Sequence, residues 1–227
     1  MKMKVNKKSK GIIFISLSVI MIMAMTKNVN AQKGFNVSVK ATPQFSFLLN
    51  KDDNDNSLYD SKATINTNFG IGAGYNFTDN VGVAIDGLYS LQGQKYELSG
   101  DDYNQKISYI KVPVYFTYNS NPQRPISFSG KIGPQVSFLS TSKLTNDDGK
   151  DLVSNTNDRY EKATFGGAAE AGIQIRVERN LFLTAGVRFD MDFTNAEDED
   201  YASYPAGRAK TYNMTSGLEV GFKYSFL

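Results

Sequence analysis

Asp190 and Asp192 are the side chains of this sequence whose type and spacing come nearest to a catalytic pair. Residues two apart on a β-strand face the same way, and paired carboxylates can divide the roles of general acid and general base. The chain has no His and no Cys, which excludes Ser-His-Asp and Cys-His nucleophiles and the usual zinc, haem and iron–sulfur sites. Because Arg188 shares their face, we expect both carboxylates to pair with it and with other nearby cations. No catalytic, cofactor-binding or metal site is therefore expected.

Segments of alternating apolar and polar residues must position these side chains. Apolar residues recur at every second position, which is typical of strands and would spiral around a helix. The predicted strands are longer than the five or six residues usual in soluble sheets, and they exceed the roughly 9 to 11 residues that cross a bilayer. Eight such segments occur, over residues 35–49, 65–77, 81–91, 110–118, 126–138, 163–177, 181–193 and 212–226.

The connections between the predicted strands alternate in length. Short turns over 78–80, 119–125 and 178–180 alternate with long polar loops over 50–62, 92–104, 140–162 and 194–210. An even number of strands, with short turns at one end and long loops at the other, is the layout of outer-membrane barrels. The sequence thus predicts an all-β fold, an eight-stranded antiparallel transmembrane up-and-down β-barrel that follows an N-terminal signal peptide.

The charged residues within these strands all share the polar phase. A Lys or Arg that faces lipid near the bilayer midplane costs about 2 to 4 kcal/mol, so the polar phase should face inward. The interior of an eight-stranded barrel is just wide enough for side chains, which favours a closed network of ion pairs and hydrogen bonds. This predicted lumen network contains Lys40, Asp86, Lys111, Lys131, Glu170, Arg176, Arg188, Asp190, Asp192, Glu219 and Lys223, and we expect Gln44, Tyr115, Gln135 and Gln174 to join it.

A secreted soluble barrel with an apolar interior is the alternative arrangement. Its outer face would be strongly charged, whereas the polar face here is mostly small and neutral, as in the run from Thr64 to Gly74. Aromatic residues near the strand ends, such as Phe35, Phe77 and Tyr118, also fit the interfacial girdles of a membrane barrel. The membrane arrangement is therefore preferred.

The first 31 residues resemble a secretory signal peptide. Five lysines precede an apolar run over 12–25, and the small-residue site ends at Ala31. Cleavage there leaves an outer-membrane β-barrel domain over 32–227. It also removes six lysines, so 19 basic and 23 acidic residues remain and the net charge becomes −4. The positive charge of the full chain thus belongs to the signal, and nucleic acid is not an expected partner.

The run Tyr109-Ile-Lys-Val-Pro-Val-Tyr-Phe116 and the final strand ending in Lys223-Tyr-Ser-Phe-Leu227 resemble the small outer-membrane β-barrel domain family that includes PorT. The alternation elsewhere is similar to that of OmpA- and OmpX-like barrels. This resemblance implies residence in the outer membrane, contact with its lipid, and recognition of the last strand by the barrel-insertion machinery. It implies little about activity. The catalytic barrels of this membrane resemble one another in using a histidine, which this chain lacks, so we do not expect an enzyme.

The long loops carry more acidic than basic residues and several tyrosines. Tyr96, Tyr103, Tyr160, Tyr201 and Tyr204 lie among these acids, and tyrosine is enriched at contact surfaces. The sequence therefore favours a structural or interaction protein of the cell envelope, linked to secretion or surface assembly and with an envelope or extracellular protein partner at its loops. A low-conductance pore for ions or small solutes is the alternative, and it requires the ion pairs and hydrogen bonds of the lumen network to separate.

Overall fold

The computed structural model describes residues 33–55, 60–98, 101–121 and 124–226. Its strands are β1 (Gly34–Asn50), β2 (Asp60–Asn76), β3 (Val81–Leu98), β4 (Asp101–Asn119), β5 (Ile126–Asn146), β6 (Asp151–Val153), β7 (Ala163–Arg176), β8 (Leu181–Asp192) and β9 (Thr211–Ser225). A short helix α1 (Lys51–Asp55) follows β1, and a 3-10 turn (Asn157–Arg159) precedes β7. The predicted signal peptide over 1–31 lies outside the described residues. Within the described ranges, no helix is long and apolar enough to cross a membrane.

Eight of these strands close into a ring in which every neighbouring pair is antiparallel. Each strand pairs with the next one along the chain, β1 pairs with β9, and β6 adds only to the outer part of β5. The alternation in the sequence sets which face of each strand points outward. Ile65 is 75% exposed and Phe35 and Ile71 are each 67% exposed, because they project from the barrel, whereas the polar residues between them point into the lumen. The predicted all-β eight-stranded barrel is confirmed.

The two ends of the barrel differ in how their strands connect. At the end called here the turn end, connections are tight: the Thr78 hydroxyl accepts hydrogen bonds from the backbone N–H groups of Asn80 (3.2 Å) and Val81 (3.0 Å) and so fixes the β2–β3 turn. Aromatic rings gather outside this end, where Phe35 and Tyr75 lie 4.9 Å apart and Tyr224 and Phe226 lie 5.1 Å apart between centroids. They form part of an interfacial girdle.

At the opposite end, called here the loop end, the structure differs from the prediction in three places. Residues 92–104 were expected to form a loop, but β3 and β4 continue through most of this range, with Gln94 opposite Gln105 and Tyr96 opposite Tyr103. Likewise β5 extends to Asn146, into the loop predicted over 140–162. Both faces of these extensions are polar, so the contrast that identifies a strand in the sequence disappears while the backbone pairing continues.

The third correction concerns the connection between β1 and β2, predicted as a loop over 50–62. It contains α1, which begins directly after Asn50. The Asn50 side-chain oxygen accepts hydrogen bonds from the backbone N–H groups of Asp52 (2.9 Å) and Asp53 (3.3 Å), in the manner of an N-terminal cap. The cap fixes Asp53 near the loop that precedes β9.

Candidate functional site

Eight of the predicted lumen residues meet at mid-height in the barrel and form what we call the ionic layer: Lys40, Asp86, Lys111, Lys131, Glu170, Arg188, Asp190 and Glu219. Lys40 donates to Asp86 at 2.6 Å, and Lys131 donates to Glu170 at 2.7 Å. Glu219 joins these pairs, since its carboxylate lies 3.4 Å from Lys40 and 3.5 Å from Lys131. The alternation of seven strands turns these side chains into the lumen, and the strand register brings them together.

Arg188 occupies the centre of the ionic layer and is 1% exposed. Its guanidinium donates to the Tyr115 hydroxyl, to Gln135 Oε1 at 3.0 Å and to Asp190 at 3.3 Å. Asp190 also accepts from the Lys111 ammonium and from the Thr215 hydroxyl, the latter at 2.8 Å. The group therefore spans the lumen and links β4, β5, β8 and β9 with its charges satisfied internally.

Asp192, two residues further along β8, has different partners from those predicted. It is fully buried, and its carboxylate accepts hydrogen bonds from Thr164 Oγ1 (2.7 Å), Asn213 Nδ2 (3.0 Å) and Ser137 Oγ (3.2 Å). In the described part of the chain no Lys or Arg lies within ion-pair distance of it. The expectation that both Asp190 and Asp192 pair with Arg188 and other cations is thus wrong for Asp192, because the Arg188 guanidinium donates instead to Tyr115, Gln135 and Asp190.

Above Asp192, toward the loop end, the lumen is filled by an apolar plug made of Leu48, Ile107, Tyr109 and Tyr160, with Leu139 packed against it. The Tyr109 hydroxyl accepts a hydrogen bond from Asn213 at 3.1 Å and so joins the plug to the Asp192 group. Sequence reasoning missed the plug, although adjacent apolar residues such as Leu48 and Leu49 mark places where both faces of a strand are apolar.

The remaining predicted lumen residues, Arg176 and Lys223, lie near the turn end around Phe182. Phe182 is buried, with the Lys223 ammonium 5.2 Å and the Arg176 guanidinium 5.8 Å from its ring centroid. Lys223 also donates to Gln174 Oε1, and Gln174 donates to Asn119 Oδ1. A cavity of about 40 Å³ lies between these groups and the ionic layer.

At the loop end, Arg208 ties together two segments that are distant in sequence. It makes a two-point contact with Asp53 (2.9 and 3.0 Å) and another with Glu197 (2.7 and 3.0 Å). The hydrogen bonds from Glu197 and Asp53 raise the pKa of Arg208 above its usual range, so its charge persists at all ordinary pH values. This clamp holds the loop between β8 and β9 against α1.

The clamp borders a groove of about 340 Å³ that is lined by Arg159, Tyr160, Glu197, Tyr201, Ser203, Tyr204, Pro205 and Arg208. The Arg159 guanidinium lies 5.9 Å from the Tyr201 ring centroid. Three of the tyrosines predicted as contact residues therefore meet here, whereas Tyr96 and Tyr103 lie on the β3–β4 hairpin.

Several acidic residues lie close together in the loops beside this groove. The pKa of Glu161 is raised, first by desolvation and then by the charges of Asp198, Asp200 and Glu199. Among the described residues, no cluster of three or more potential ligands is arranged to hold a metal ion.

Comparison with known proteins gives a family and several similar folds. The family model for the outer membrane protein beta-barrel domain matches residues 26–198. The structure is similar to outer membrane protein W of E. coli, with 17% identity, 87% of this chain and 100% of that chain covered, and a TM-score of 0.49. Neisserial surface protein A is similar at 16% identity, with 87% and 100% covered and a TM-score of 0.48. Ail of Yersinia pestis is similar at 15% identity, with 85% and 100% covered and a TM-score of 0.45. No curated protein matches the sequence.

Proposed function

The chain belongs to the outer membrane protein β-barrel domain family and lies in the outer membrane, and from this premise we propose that it is a closed barrel whose working surface is the loop end. In such barrels the long loops face the exterior and the short turns face the periplasm. The proposed role is that of a structural or interaction protein that presents the groove between Arg159 and Tyr204 to an envelope or extracellular protein. A link to secretion or surface assembly is part of this proposal.

The proposal rests on three successive barriers that block the lumen. The ionic layer spans the barrel, the Asp192 group lies above it, and the apolar plug fills the space below the loops. Opening a path would leave several buried charges without partners, at a cost of several kcal/mol each. A partner outside the cell would therefore contact the side chains of the loop end and not those of the lumen.

The chemistry of the groove indicates which kind of partner fits. Tyr201 and Tyr204 offer ring faces and hydroxyls, which are favourable for protein contacts. Asp198, Glu199 and Asp200 follow the groove residue Glu197 directly in the sequence, and a basic surface would neutralise them best. We therefore propose a protein partner that contributes Lys or Arg side chains, and no nucleic acid.

Catalysis is not part of the proposed function. Asp190, the member of the carboxylate pair that contacts cations, is held by Lys111 and Arg188, and Asp192 is enclosed by three neutral donors. Neither carboxylate is exposed to a substrate, since both are at least 99% buried.

Contact with outer-membrane lipid follows from the exposed apolar belt. We also propose that β9, with Phe222, Tyr224 and Phe226 in phase, is recognised by the barrel-insertion machinery.

The experiment that tests the proposal is photocrosslinking in living cells. A photoreactive phenylalanine replaces Tyr201 or Tyr103 at the loop end, and Ser120, an exposed residue of the turn end, serves as the matched control position. We expect a discrete adduct from Tyr201 that is absent from Ser120 and weakened by Asp200→Asn. Barrels that fold and insert normally but give no adduct from any loop position would overturn the proposal.

A low-conductance pore is the second candidate, and the cavity at the turn end favours it because that cavity reaches the ionic layer. Single-channel recording of the refolded protein in a planar bilayer, with Arg188→Ala alongside, separates the two functions. The closed barrel predicts a silent bilayer from protein shown to be folded by its heat-modifiable gel mobility. Reproducible openings that change with Arg188→Ala would assign the function to the lumen.

A further inference from the structure

Lys223 differs from the other buried lysines of the lumen in its contacts. Lys40, Lys111 and Lys131 each contact a carboxylate, whereas the ammonium of Lys223 contacts the Gln174 amide oxygen and the ring of Phe182. Lys223 is only 9% exposed, and in the described part of the chain no carboxylate lies within ion-pair distance of it. A buried ammonium without a counter-ion is strongly unfavourable, and an anion beside it would stabilise the charged form of Lys223.

The cavity beside Lys223 has the size and the lining to meet that need. Its volume is about 40 Å³, which is room for one small anion or a few water molecules. Besides Lys223, it is lined by amide and hydroxyl groups that can donate hydrogen bonds, namely those of Asn36, Ser38, Asn76, Asn119 and Thr184. Together with Lys223 these donors come from five strands, so the closed ring holds them around one point.

The fixed charges that line the cavity sum to one positive charge. The lining contains three positive residues, Lys40, Lys131 and Lys223, and two negative ones, Asp86 and Glu170. The two carboxylates are already engaged, Asp86 by Lys40 at 2.6 Å and Glu170 by Lys131 at 2.7 Å. The unbalanced charge is therefore that of Lys223, at the side of the cavity away from the ionic layer.

We propose that this cavity is a binding site for a small inorganic anion of the size of chloride, held by the Lys223 ammonium and the surrounding amide and hydroxyl donors. The site opens toward the turn end, so the anion enters from the periplasm. Binding there completes the charge balance of the lumen and fastens β9 to β4 and β7 through Gln174 and Asn119. The site is independent of the loop-end partner proposed above.

Two measurements on the full refolded protein test this inference. The first is thermal unfolding at constant ionic strength, in which chloride or bromide replaces gluconate, an anion too large for the cavity. We expect a saturable rise in the unfolding temperature of the unsubstituted protein. The rise should be lost in Lys223→Met, which keeps the length of the side chain without its charge, and retained in the matched control Lys95→Met at the exposed loop end. An equal rise in all three proteins would overturn the proposal.

The second measurement needs no variant, so it decides the matter even if Lys223→Met fails to fold. Crystals of the unsubstituted protein grown with bromide are examined for anomalous scattering. We expect a bromide peak within hydrogen-bond distance of the Lys223 ammonium. Ordered Lys223 without such a peak, or with water alone in the cavity, would overturn the proposal.

Discussion

Asp190 and Asp192 stand two residues apart on β8 and are almost equally buried, yet the two regions around them are built differently. Asp190 belongs to the ionic layer, where Lys111 and Arg188 match its charge. Asp192 is held by hydroxyl and amide donors and borders the apolar plug. In the first region a charge is fixed by opposite charges, and in the second by oriented neutral dipoles. The two regions should therefore differ in how much stability they lose when a carboxylate charge is removed.

The largest effect should come from Asp190→Asn. The substitution leaves Lys111 and Arg188 buried without their shared carboxylate, and removal of one partner from a buried ion pair costs about 3 to 5 kcal/mol. Urea unfolding of the refolded protein in lipid vesicles, followed by far-UV circular dichroism, measures this loss in the free energy of unfolding. A loss below about 1 kcal/mol would show that the ionic layer does not hold the barrel together.

Asp192→Asn is the matched substitution and should have a smaller effect. It removes a charge that no cation compensates, and the amide keeps one acceptor oxygen for the donors around it. We expect a loss of about 1 to 2 kcal/mol, the range for one impaired hydrogen bond to a buried group. The same unfolding measurement applies, and a loss equal to that of Asp190→Asn would remove the distinction between the two regions.

Tyr109→Phe tests how strongly the apolar plug is joined to the Asp192 group. The substitution keeps the ring in the plug and removes only the hydroxyl that accepts from Asn213. Loss of one neutral hydrogen bond predicts a decrease of about 1 kcal/mol in the free energy of unfolding. If the plug and the Asp192 group act as one unit, Tyr109→Phe and Asp192→Asn will be non-additive in the double variant.

Arg208→Gln extends the comparison to the loop end, where charges are partly exposed. Its ion pairs with Asp53 and Glu197 are screened by solvent, so the overall stability should fall by less than about 1 kcal/mol. The effect should be local, with faster hydrogen exchange in the loop over 193–210 and unchanged exchange in β8. Equal acceleration in β8 would contradict the view that this clamp orders the loop alone.

The smallest effect is the pH dependence that Glu161 confers on the loops. Its pKa is raised in the folded protein, so folding favours the protonated form. This stabilisation is present below the unfolded pKa of about 4.3 and is lost as the pH rises through the raised pKa. Glu161→Gln should therefore increase the exchange protection of the adjoining loop at pH 7 and leave it unchanged at pH 4. An increase at both pH values would point to packing instead of charge.

The sequence predicts the ring of strands because lipid on one side and a narrow lumen on the other impose opposite demands on alternate residues. The same alternation assigns Lys40, Arg188 and Glu219 to the lumen face. Whether they also meet at one height depends on the register of the strands. The strand register, which the sequence does not specify, decides that Asp190 reaches Lys111 and that Asp192 does not. The extensions of β3, β4 and β5 escape prediction because polar residues occupy both faces, including buried ones such as Gln94, Gln105 and Thr145, and so remove the contrast between faces.

The pairing of β1 with β9 has a consequence for how the barrel assembles. Asn36 pairs with Ser225, so the ring closes only between strands from opposite ends of the chain. In hydrocarbon, an unpaired strand edge leaves backbone N–H and C=O groups without partners, at a cost of several kcal/mol each. Closure therefore depends on contacts of the largest sequence separation, which form slowly. A chain that lacked β9 would therefore expose the unpaired edges of β1 and β8 to hydrocarbon.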